Sequence, residues 1–466
     1  MSYENKQNIL CMTSIALCSL FHTGNVNSAT PVNDTKLGMT NVISEACQQG
    51  PTVNNADFQN RCNALAIGVS GPGNLVPVLS GDQNSAALSD EDVDTFVGAI
   101  GQIAPEQQIV PGVQATRTMS SIQTIANTAI ISRMGVLRAQ MHRPKGSHRY
   151  ANRIDRNSGL FSFASNAFSS GGSAGIADSN RLGIWANGSY FGGDVNTSNN
   201  QLGFDFNNWG GTVGADYRIT DTVVAGASFS YLGSNANVDN SGSRVKSDSY
   251  TGSIFAMYAH ESGFYVDGAA SYGAADFDIT RSIQYTFNND NVNATATGSP
   301  GGLQYSVGAG IGYQYSTGAT TIEPYVRADY RGLEIDSFDE SENGQGVGWA
   351  SHFSRQRVRS LPTTVGLRLN HAFSTKWGIF QPQIDGAWHH EFKDNQRNIQ
   401  TRFLGNGGGL TYNIVSEGPD SNYFTVGASI SATLPHGITA FTGYSRLLGY
   451  HNIESQRVTF GWRLEL

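Results

Sequence analysis

Two cysteines are the residues best suited to covalent chemistry in the main part of this sequence. Cys47 and Cys62 stand 15 positions apart, and the other two cysteines are Cys11 and Cys18. In an oxidising compartment an even pair at this spacing predicts one disulfide. Closing such a loop would contribute on the order of 3 kcal/mol to stability in the chain-entropy treatment. Two thiols without a nearby His make a poor ligand set, so we predict no metal site and no cofactor.

Hydrolytic chemistry would need a nucleophile, a base and an acid that orients the base. Residues 30–140 contain no His, so the usual base is missing there. The acidic run at 90–94 is typical of a helix N-terminus rather than of a paired-carboxylate cleft. Farther along, His389 and His390 are adjacent in a predicted strand and point to opposite faces, so they cannot bind one metal together. We therefore assign no catalytic residue and predict that the protein is not an enzyme.

Residues 1–29 show the order of features found in secretory signal peptides. Lys6 supplies a weak positive charge, residues 9–21 are mostly apolar, and small residues follow up to Ala29. A signal peptide would direct the chain out of the cytoplasm, into a compartment where disulfides persist. The alternative interpretation is an ordinary buried helix.

The overall composition excludes several classes of protein. The net charge of −8 argues against nucleic acid as a partner. No run of about 18 apolar residues occurs, so the sequence does not predict a membrane-spanning helix. Hydrophobic residues make up 39% and charged residues 14% of the chain, which also has 55 Gly. A transmembrane β-barrel accounts for these values, because only every second residue of its strands must be apolar.

Charged and apolar residues alternate in the stretches that follow residue 182. In TIEPYVRADY, the side chains of Glu323, Arg327 and Asp329 share one face. The same alternation turns Asp267 and Asp385 to the charged face of their own strands. We predict that these five side chains line a polar lumen and that the apolar faces meet lipid. A soluble β-sandwich, which buries its apolar faces against each other, would give the same alternation.

Twelve alternating segments can be distinguished between residue 182 and the end of the chain. Short turns separate some of them, and longer connections occur at 282–300, 337–354 and 394–420. An even number of strands with short and long connections in turn is typical of bacterial outer-membrane barrels. The fold class predicted is therefore all-β, a 12-stranded antiparallel transmembrane barrel.

The last strand, RVTFGWRLEL, has an aromatic and apolar face formed by alternate residues. An exposed last strand would leave an open sheet edge. In a barrel it closes against the first strand and meets lipid with its apolar face. That face comprises Phe460, Trp462, Leu464 and Leu466.

Two stretches ahead of the barrel have the spacing of amphipathic helices. The first, SDEDVDTFVGAIGQIAPEQ, repeats apolar residues every three or four positions and ends at Pro105. The second lies at 118–140, and cations near its C-terminal end suit the helix dipole. Its apolar stripe comprises Ile122, Ile125, Met134 and Leu137, and its cations are Arg133 and Arg138.

Residues 141–180 are predicted to be a linker. Their first part is basic and their second part is rich in Ser and Gly. The basic part is interpreted either as a solvated segment or as a contact with anionic head groups or the acidic barrel rim.

Together these features resemble a bacterial autotransporter, a protein of type V secretion. The resemblance rests on the order of signal peptide, short passenger, helix and twelve-stranded C-terminal barrel. It also rests on stretches such as RLGIWANGSYFGGDV, WHHEFKD and GITAFTGYSRLLGYHNIESQRVTFGWRLEL. It covers about 180–466, with the helix at 118–140 as an upstream match.

The resemblance implies a place and a mechanism. The barrel assembly machinery would insert the barrel into the outer membrane of a Gram-negative bacterium, with the passenger at the cell surface. Phe460, Trp462, Leu464 and Leu466 would form the assembly signal. The implied domains are the signal peptide at 1–29, a passenger with one disulfide and one helix at 30–117, the pore helix at 118–140, the linker at 141–180 and the barrel at 181–466.

The resemblance also places the helix inside the pore. Arg133 and Arg138 would then face lumen acids such as Asp267, Asp329 and Asp385. Charges are tolerated in a polar lumen. The alternative is that water alone solvates these acids.

Three positions depart from the pattern of the families concerned. The chain ends in Leu466, where autotransporters usually end in Phe or Trp, which would weaken the assembly signal. Asn127 lacks the neighbouring Asn of self-cleaving members, so the passenger is expected to stay attached. The stretch SGDQNS resembles the Gly-Asp-Ser start of secreted esterases, but Gln83 stands where their Ser would be.

Three hypotheses for the function follow. The first is an autotransporter that displays a short non-enzymatic passenger at the cell surface for adhesion. Its partners would be outer-membrane lipid, the assembly machinery and a host or cell-surface ligand, and the protein would be a monomer. The second is a plugged outer-membrane channel or structural barrel without an exported passenger. The third is a surface-displayed enzyme, against which the missing His argues.

Overall fold

Two helices of the N-terminal part of the chain lie fully within the described residues. The computed structural model describes residues 39, 42–43, 47, 56–69, 90–103, 181–198, 202–239, 241–375, 377–406, 410–416, 418–434 and 438–465. The helices are α1 (Ala56–Val69) and α2 (Asp90–Ile103). The α2 helix lies in the segment that the sequence predicts to be helical. No described helix is long and apolar enough to cross a membrane.

Twelve strands of the described chain form a closed antiparallel barrel, as predicted. Each pairs with the next along the wall, and the last strand pairs with the first, Gly183 lying opposite Glu465. The wall strands are β1 (Leu182–Val195), β2 (Phe204–Arg218), β3 (Val223–Val238), β4 (Arg244–Ala259), β5 (Phe264–Phe287), β7 (Gly301–Tyr313), β9 (Thr320–Ile335), β13 with β14 (Gln356–Ser360 and Pro362–His371), β16 (Gly378–Glu391), β19 (Asn422–Thr433), β20 (Thr439–Leu448) and β21 (Ile453–Glu465).

One end of the barrel, called the inner end, carries short turns and both ends of the barrel chain. Leu182 begins β1 there and Glu465 ends β21 there. Two small extensions of the hairpins also lie at this end, β8 (Tyr315–Thr317) and β15 (Phe373–Thr375). Short turns mark the periplasmic end of outer-membrane barrels, so the opposite end faces outward.

The outward end carries further strands where the sequence predicted long connections. β5 runs beyond the barrel wall and turns at Asn288 and Asn289, whose φ values of 47° and 62° fit a tight hairpin turn. These strands are named the outward extension. It comprises the outer part of β5 (279–287), β6 (Asp290–Gly298), β10 (Phe338–Asp339), β11 (Ser341–Gln345), β12 (Ser351–Phe353), β17 (Arg397–Phe403) and β18 (Tyr412–Ser416).

The outward extension consists of two sheets. β11 pairs with β6, and β6 pairs with β5, so this first sheet continues the barrel wall. The second sheet is separate and has the order β10, β12, β17, β18. Strands therefore occupy most of the connection at 282–300 and parts of the connections at 337–354 and 394–420.

Apolar side chains cover the outer surface of the barrel, where lipid would lie. Ile254 is 66% exposed and Val307 56% exposed, although neither has a polar group to meet water. Neighbouring residues on the inward side of the same strands are small and polar, Ser253 and Ser306. This inside-out arrangement is the one that a bilayer imposes, because lipid replaces the protein core around the wall.

A belt of aromatic residues runs along the outward half of the wall from β1 to β9. The rings of Trp209 and Tyr231 lie 5.2 Å apart, and those of Tyr231 and Tyr250 lie 5.3 Å apart. Such belts form at membrane–water interfaces. The members of this outer girdle are Tyr190, Trp209, Tyr231, Tyr250, Tyr272, Tyr305 and Tyr330.

Candidate functional site: the polar lumen and its outward cover

The charged wall of the lumen centres on Arg327. Its Nη1 donates to Asp267 Oδ1 at 2.6 Å, and its Nε donates to Asp329 Oδ1 at 3.0 Å. All three side chains are buried inside the barrel. Asp267 and Asp329 belong to different strands, so Arg327 joins β5 to β9 across the intervening β7. Charge-assisted pairs of this kind satisfy carboxylates that have little water around them.

A second group of charges surrounds Glu323, which is fully buried. One carboxylate oxygen of Glu323 accepts from Arg368 Nη1 at 2.6 Å and from the Tyr265 hydroxyl at 2.8 Å. The other accepts from Gln314 Nε2 at 2.9 Å. The Arg368 guanidinium also lies over the Tyr325 ring, 3.9 Å from its centroid. Glu323 therefore binds three side chains near the inner end, which come from β5, β14 and the connection after β7.

Glycines make room for these large side chains. A Cβ at Gly308 would lie 2.0 Å from Asp329 Oδ1. A Cβ at Gly366 would lie 2.4 Å from the Tyr325 ring. The strands thus need small residues on the lumen face next to the charged and aromatic ones.

Small hydroxyl side chains line the lumen from β2 to β7. Thr212 and Ser230 lie within 2.9 Å of each other, and Ser253 and Ser271 within 2.8 Å. Each pair connects neighbouring strands through a hydrogen bond. Small hydroxyl side chains thus line the inward face of β3 and β4 and continue on β5 and β7. They are Ser228, Ser230, Ser247, Ser249, Thr251, Ser253, Ser271 and Ser306.

The lumen face changes from polar to apolar toward the outward end. On β2, Asp216, Thr212 and Asn208 give way to Phe206 and Phe204 along the same inward face. The aromatic pair is buried and belongs to one apolar cluster with the two N-terminal helices. Apolar rather than polar side chains therefore line the outward end of the barrel on β2.

Helix α1 packs into this cluster through one face. Phe58, Cys62 and Leu65 lie at helical spacing and are 6% exposed or less. The Phe58 ring lies 5.6 Å from that of Trp349 and 5.8 Å from that of Phe403. The helix therefore docks on aromatic residues of the outward extension.

Polar contacts fix α1 at the tip of the β5–β6 hairpin. The Arg61 guanidinium forms an ion pair with Asp290 in which both side chains are mostly buried. Asn288 Nδ2 donates to the carbonyl oxygen of Ala64 at 3.2 Å. Both contacts connect the N-terminal segment with the turn of the hairpin.

Helix α2 packs its apolar face against the same hairpin. Phe96, Ile100 and Ile103 are buried, and the Phe96 ring lies 5.2 Å from that of Phe287. The backbone N–H of Gln284 donates to Gln102 Oε1 at 3.4 Å. Together, α1 and α2 form a helical cover on the outward extension.

A buried polar network supports this cover from beneath. Arg281 donates to both carboxylate oxygens of Glu340, at 3.1 and 2.6 Å, and to the carbonyl oxygen of Trp349 at 2.9 Å. Trp349 Nε1 donates to the Tyr285 hydroxyl at 2.9 Å. The same indole ring contacts Phe58 in a T-shaped arrangement. The network therefore positions the main aromatic contact of α1.

Burial perturbs two titratable groups next to Trp349. Desolvation raises the pKa of Glu342, and the hydrogen bond that the backbone N–H of Gly348 donates to its carboxylate at 2.7 Å opposes this shift. The backbone N–H of Trp349 donates to the other carboxylate oxygen at 3.1 Å. Desolvation raises the pKa of Tyr285 to about 12, so its hydroxyl stays protonated at neutral pH. The carboxylate of Glu342 fixes the bend between β11 and β12.

The disulfide predicted from the sequence is present. Cys47 and Cys62 are bonded, with their Cα atoms 5.4 Å apart. Cys62 lies on the buried face of α1, so the bond attaches the preceding segment to the helical cover.

The predicted lumen residues lie together on the inward face of the barrel wall. Asp267, Arg327 and Asp329 form one group, and Glu323 belongs to the second. Asp385 lies on β16, and its Oδ1 has no hydrogen-bond partner among the described residues. The functional roles of these residues stay predictions.

The predicted pore helix and part of the assembly signal lie outside the described side chains. The helix at 118–140, with Arg133 and Arg138, is in that undescribed part of the chain. Phe460 and Trp462 are 58% and 51% exposed on the outer face of β21. The backbone of Leu464 is in β21, and Leu466 lies outside the described residues.

Sequence reasoning missed the docking surface of the helical cover. It did not identify α1, because the described side chains of this helix show three buried apolar positions and one of them is a Cys. It also missed Arg281, Glu340 and Trp349. These residues alternate with apolar neighbours, which predicts strands. The alternation does not indicate which residues contact each other across the fold.

Comparison with protein families identifies the barrel. The family described as "Autotransporter beta-domain" matches residues 184–445, which is more than half of the chain. Among curated proteins, Lipase 1 of Photorhabdus luminescens is 26% identical over 239 residues, covering 50% of this chain and 35% of that protein. Esterase EstA of Pseudomonas aeruginosa is 23% identical over 255 residues, covering 54% of this chain and 38% of that protein. The chain thus spans little more than a third of the length of these relatives.

Solved structures include autotransporter barrels with a similar course of the chain. The translocator domain of NalP from Neisseria meningitidis is 16% identical, with a TM-score of 0.47, and the alignment covers 62% of this chain and 90% of that one. The beta domain of the Bordetella autotransporter BrkA is 18% identical, with a TM-score of 0.44, and the alignment covers 62% and 100%.

The prediction that the protein is not an enzyme is corrected by these relatives. Two of them are named as a lipase and an esterase, and their likeness to this chain lies in the barrel half. The prediction rested on residues ahead of 140, whereas this type of barrel also occurs in proteins named for hydrolytic activity. A short N-terminal segment attached to such a barrel is thus no argument against an enzyme.

The closed twelve-stranded wall, the polar lumen and the family match over 184–445 lead to one conclusion. The chain belongs to the autotransporter beta-domain family of Gram-negative outer-membrane barrels.

Proposed function

We propose that this autotransporter displays its N-terminal segment at the cell surface as a small domain docked on the outward end of its own barrel. The observation that carries the proposal is the shared apolar cluster of α1, α2 and the outward extension. In this arrangement the passenger is anchored rather than released. The proposed domain order is signal peptide 1–29, passenger 30–117, pore helix 118–140 and linker 141–180, ahead of the barrel.

Three contacts support docking over free display. The Arg61–Asp290 ion pair is mostly buried, Phe58 packs against two aromatic rings, and Gly405 leaves space for Phe58. A Cβ at Gly405 would lie 2.4 Å from Cβ of Phe58. Such close complementarity is expected of a surface that is occupied in the folded protein.

A surface-binding role, such as adhesion, forms the finer part of the proposal. The outward position of the cover would expose its outer face to the medium and to other cells. Autotransporter adhesin/invasin TibA of Escherichia coli is 24% identical over 186 residues, covering 39% of this chain and 17% of that protein. A host or cell-surface ligand is the proposed partner, and a monomer is the proposed state.

Protease shaving of intact cells, followed by mass spectrometry of the released peptides, tests surface display. In wild-type cells we expect slow cleavage within 56–103 because both helices are docked. R61E should speed cleavage there, since it places two acids together, and the charge swap R61E/D290R should restore slow cleavage. Peptides from the outward extension alone, in every variant, would contradict surface display and favour a plugged barrel.

Ester hydrolysis is the second candidate function, favoured by the names of the two relatives given above. Intact cells carrying the protein would be given a short-chain nitrophenyl ester, with the barrel alone (residues 181–466) as the control. Hydrolysis that requires residues ahead of 181 would establish the activity. Equal rates with the full chain and the barrel would refute it.

A further inference from the structure

Three arginines form a row on the outer surface of the outward end. β13 buries Gln356 and Val358 on its inward face and turns Arg357 and Arg359 outward. Arg355, just before the strand, continues the same outward alternation. The side chains of Arg355 and Arg357 are 55% and 58% exposed, and Arg359 is also exposed. This set is named the arginine row.

The arginine row begins at the outer girdle and runs away from the membrane. Arg359 lies opposite Gly332 in the ladder, and Tyr305 lies opposite Gly332 on the other side. The Tyr305 ring covers that glycine, since a Cβ there would lie 2.3 Å from its Cζ. Arg357 and Arg355 follow roughly 7 and 13 Å farther out, at about 3.3 Å per residue. The row therefore spans the layer in which lipid head groups lie.

Two carboxylates lie beside the three guanidinium groups. Glu334 Oε1 is 3.4 Å from Arg357 Nε, and Asp336 Oδ1 is 3.4 Å from Arg355 Nη2. Both pairs are exposed, and exposed pairs at this distance contribute little. The ladder places Gly332, and no acid, opposite Arg359. The row thus retains a net positive charge.

The far side of the barrel has the opposite charge at its outward end. Asp194 lies opposite both Asp205 and Glu454 in the ladder, so three acids form a row across β21, β1 and β2. β13 lies several strands away in either direction around the wall. An anionic surface would therefore be attracted to one side of the barrel and repelled by the other.

We propose that the arginine row binds the phosphate groups of phosphorylated glycolipids in the outer leaflet of the outer membrane. Guanidinium groups donate two parallel hydrogen bonds to a phosphate, and their spacing on alternate strand positions lets one head group reach two of them. The tyrosines below the row would contact the start of the acyl region. The row is thus a lipid site that orients the barrel, independent of what the passenger does.

Binding can be measured with the full-length protein purified in non-ionic detergent. The probe is a bisphosphorylated diglucosamine lipid, compared with the same lipid after enzymatic removal of its phosphates. The test variant is R355Q/R357Q/R359Q. The matched control is R244Q/K246Q/R446Q, which removes three exposed outward cations elsewhere on the wall. A heat-dependent shift in gel mobility shows whether each variant has kept a folded barrel.

The wild type and the control should bind the phosphorylated lipid equally well. At about fivefold per arginine, the test variant should lose affinity by on the order of a hundredfold. If the test variant fails to fold, the single substitution R357Q is measured instead. It should lower the affinity for the phosphorylated lipid roughly fivefold. Equal affinity in the wild type and the test variant, equal loss in the control, or equal binding of the dephosphorylated lipid would each overturn the proposal.

Discussion

Among single residues, charged side chains that are buried outside the lumen depend strongly on their partners for stability. Arg281 and Glu340 each have side chains only 2% exposed. A buried pair with good geometry roughly compensates its desolvation, whereas one partner left alone is strongly destabilising. Since Arg281 also holds the carbonyl oxygen of Trp349, this pair determines how the aromatic surface under α1 is presented.

Replacing one member of this pair should destabilise the outward extension. R281M is expected to lower the local free energy of unfolding by about 3–5 kcal/mol, because it leaves the Glu340 carboxylate buried and unpaired. R281M/E340M should recover a large part of that loss. Hydrogen exchange of the amides in β12 and β17 measures both. The control is R446M, at the exposed pair with Glu454, which should lower the free energy of unfolding by no more than about 1 kcal/mol. Equal effects of R281M and R446M would contradict the importance of the buried pair.

At the scale of elements, the two helices are stable because of what they dock on. Each is 14 residues long, and isolated helices of that length are marginal in water. Their buried faces meet the β5–β6 hairpin and the second sheet. The helical cover should therefore depend on the shape of that surface more than on its own sequence.

A side chain at Gly405 should undock α1 without unfolding the barrel. In G405V the new atoms would overlap Phe58, so hydrogen exchange in 56–69 should become at least tenfold faster while the barrel strands remain protected. The control is G98A on α2, where a Cβ would meet nothing within 4 Å. Alanine at that helical position should instead stabilise α2 by roughly 0.5–1 kcal/mol. Unchanged exchange in G405V would show that α1 does not rest on this surface.

At the scale of the whole molecule, the environment of each surface decides what substitutions it tolerates. Exposed apolar side chains on the barrel wall face lipid, whereas exposed apolar side chains on the outward extension face water. Ile254 on β4 and Val415 on β18 represent the two cases, with 66% and 39% exposure. A charged side chain introduced at these two positions should therefore lower the stability of the protein by different amounts.

Arginine at position 254 should destabilise the barrel in a bilayer by about 2–4 kcal/mol if the site lies near the midplane. V415R, the matched substitution outside the membrane, should change stability by about 0.5 kcal/mol or less. Reversible urea unfolding in lipid vesicles, followed by tryptophan fluorescence and gel mobility, measures the barrel transition for both. Equal costs for I254R and V415R would mean that the wall around Ile254 does not face lipid.

The barrel could be predicted from the amino-acid sequence, because alternation is a local property of each strand. Glu323, Arg327 and Asp329 share a face whatever the neighbouring strands are. The twelve predicted segments coincide closely with the wall strands, and the disulfide followed from a count of cysteines and the expected compartment. These features need no knowledge of distant contacts.

Contacts between residues that are distant in the sequence could not be predicted in this way. Arg61 and Asp290 are 229 positions apart, and Arg281 and Glu340 are 59 apart. No local pattern selects such partners, since many charged residues would satisfy the same alternation. The docking of α1 and α2 on the outward extension is decided in the same way. It depends on apolar surface that distant strands expose together, and that surface exists only once the barrel has closed.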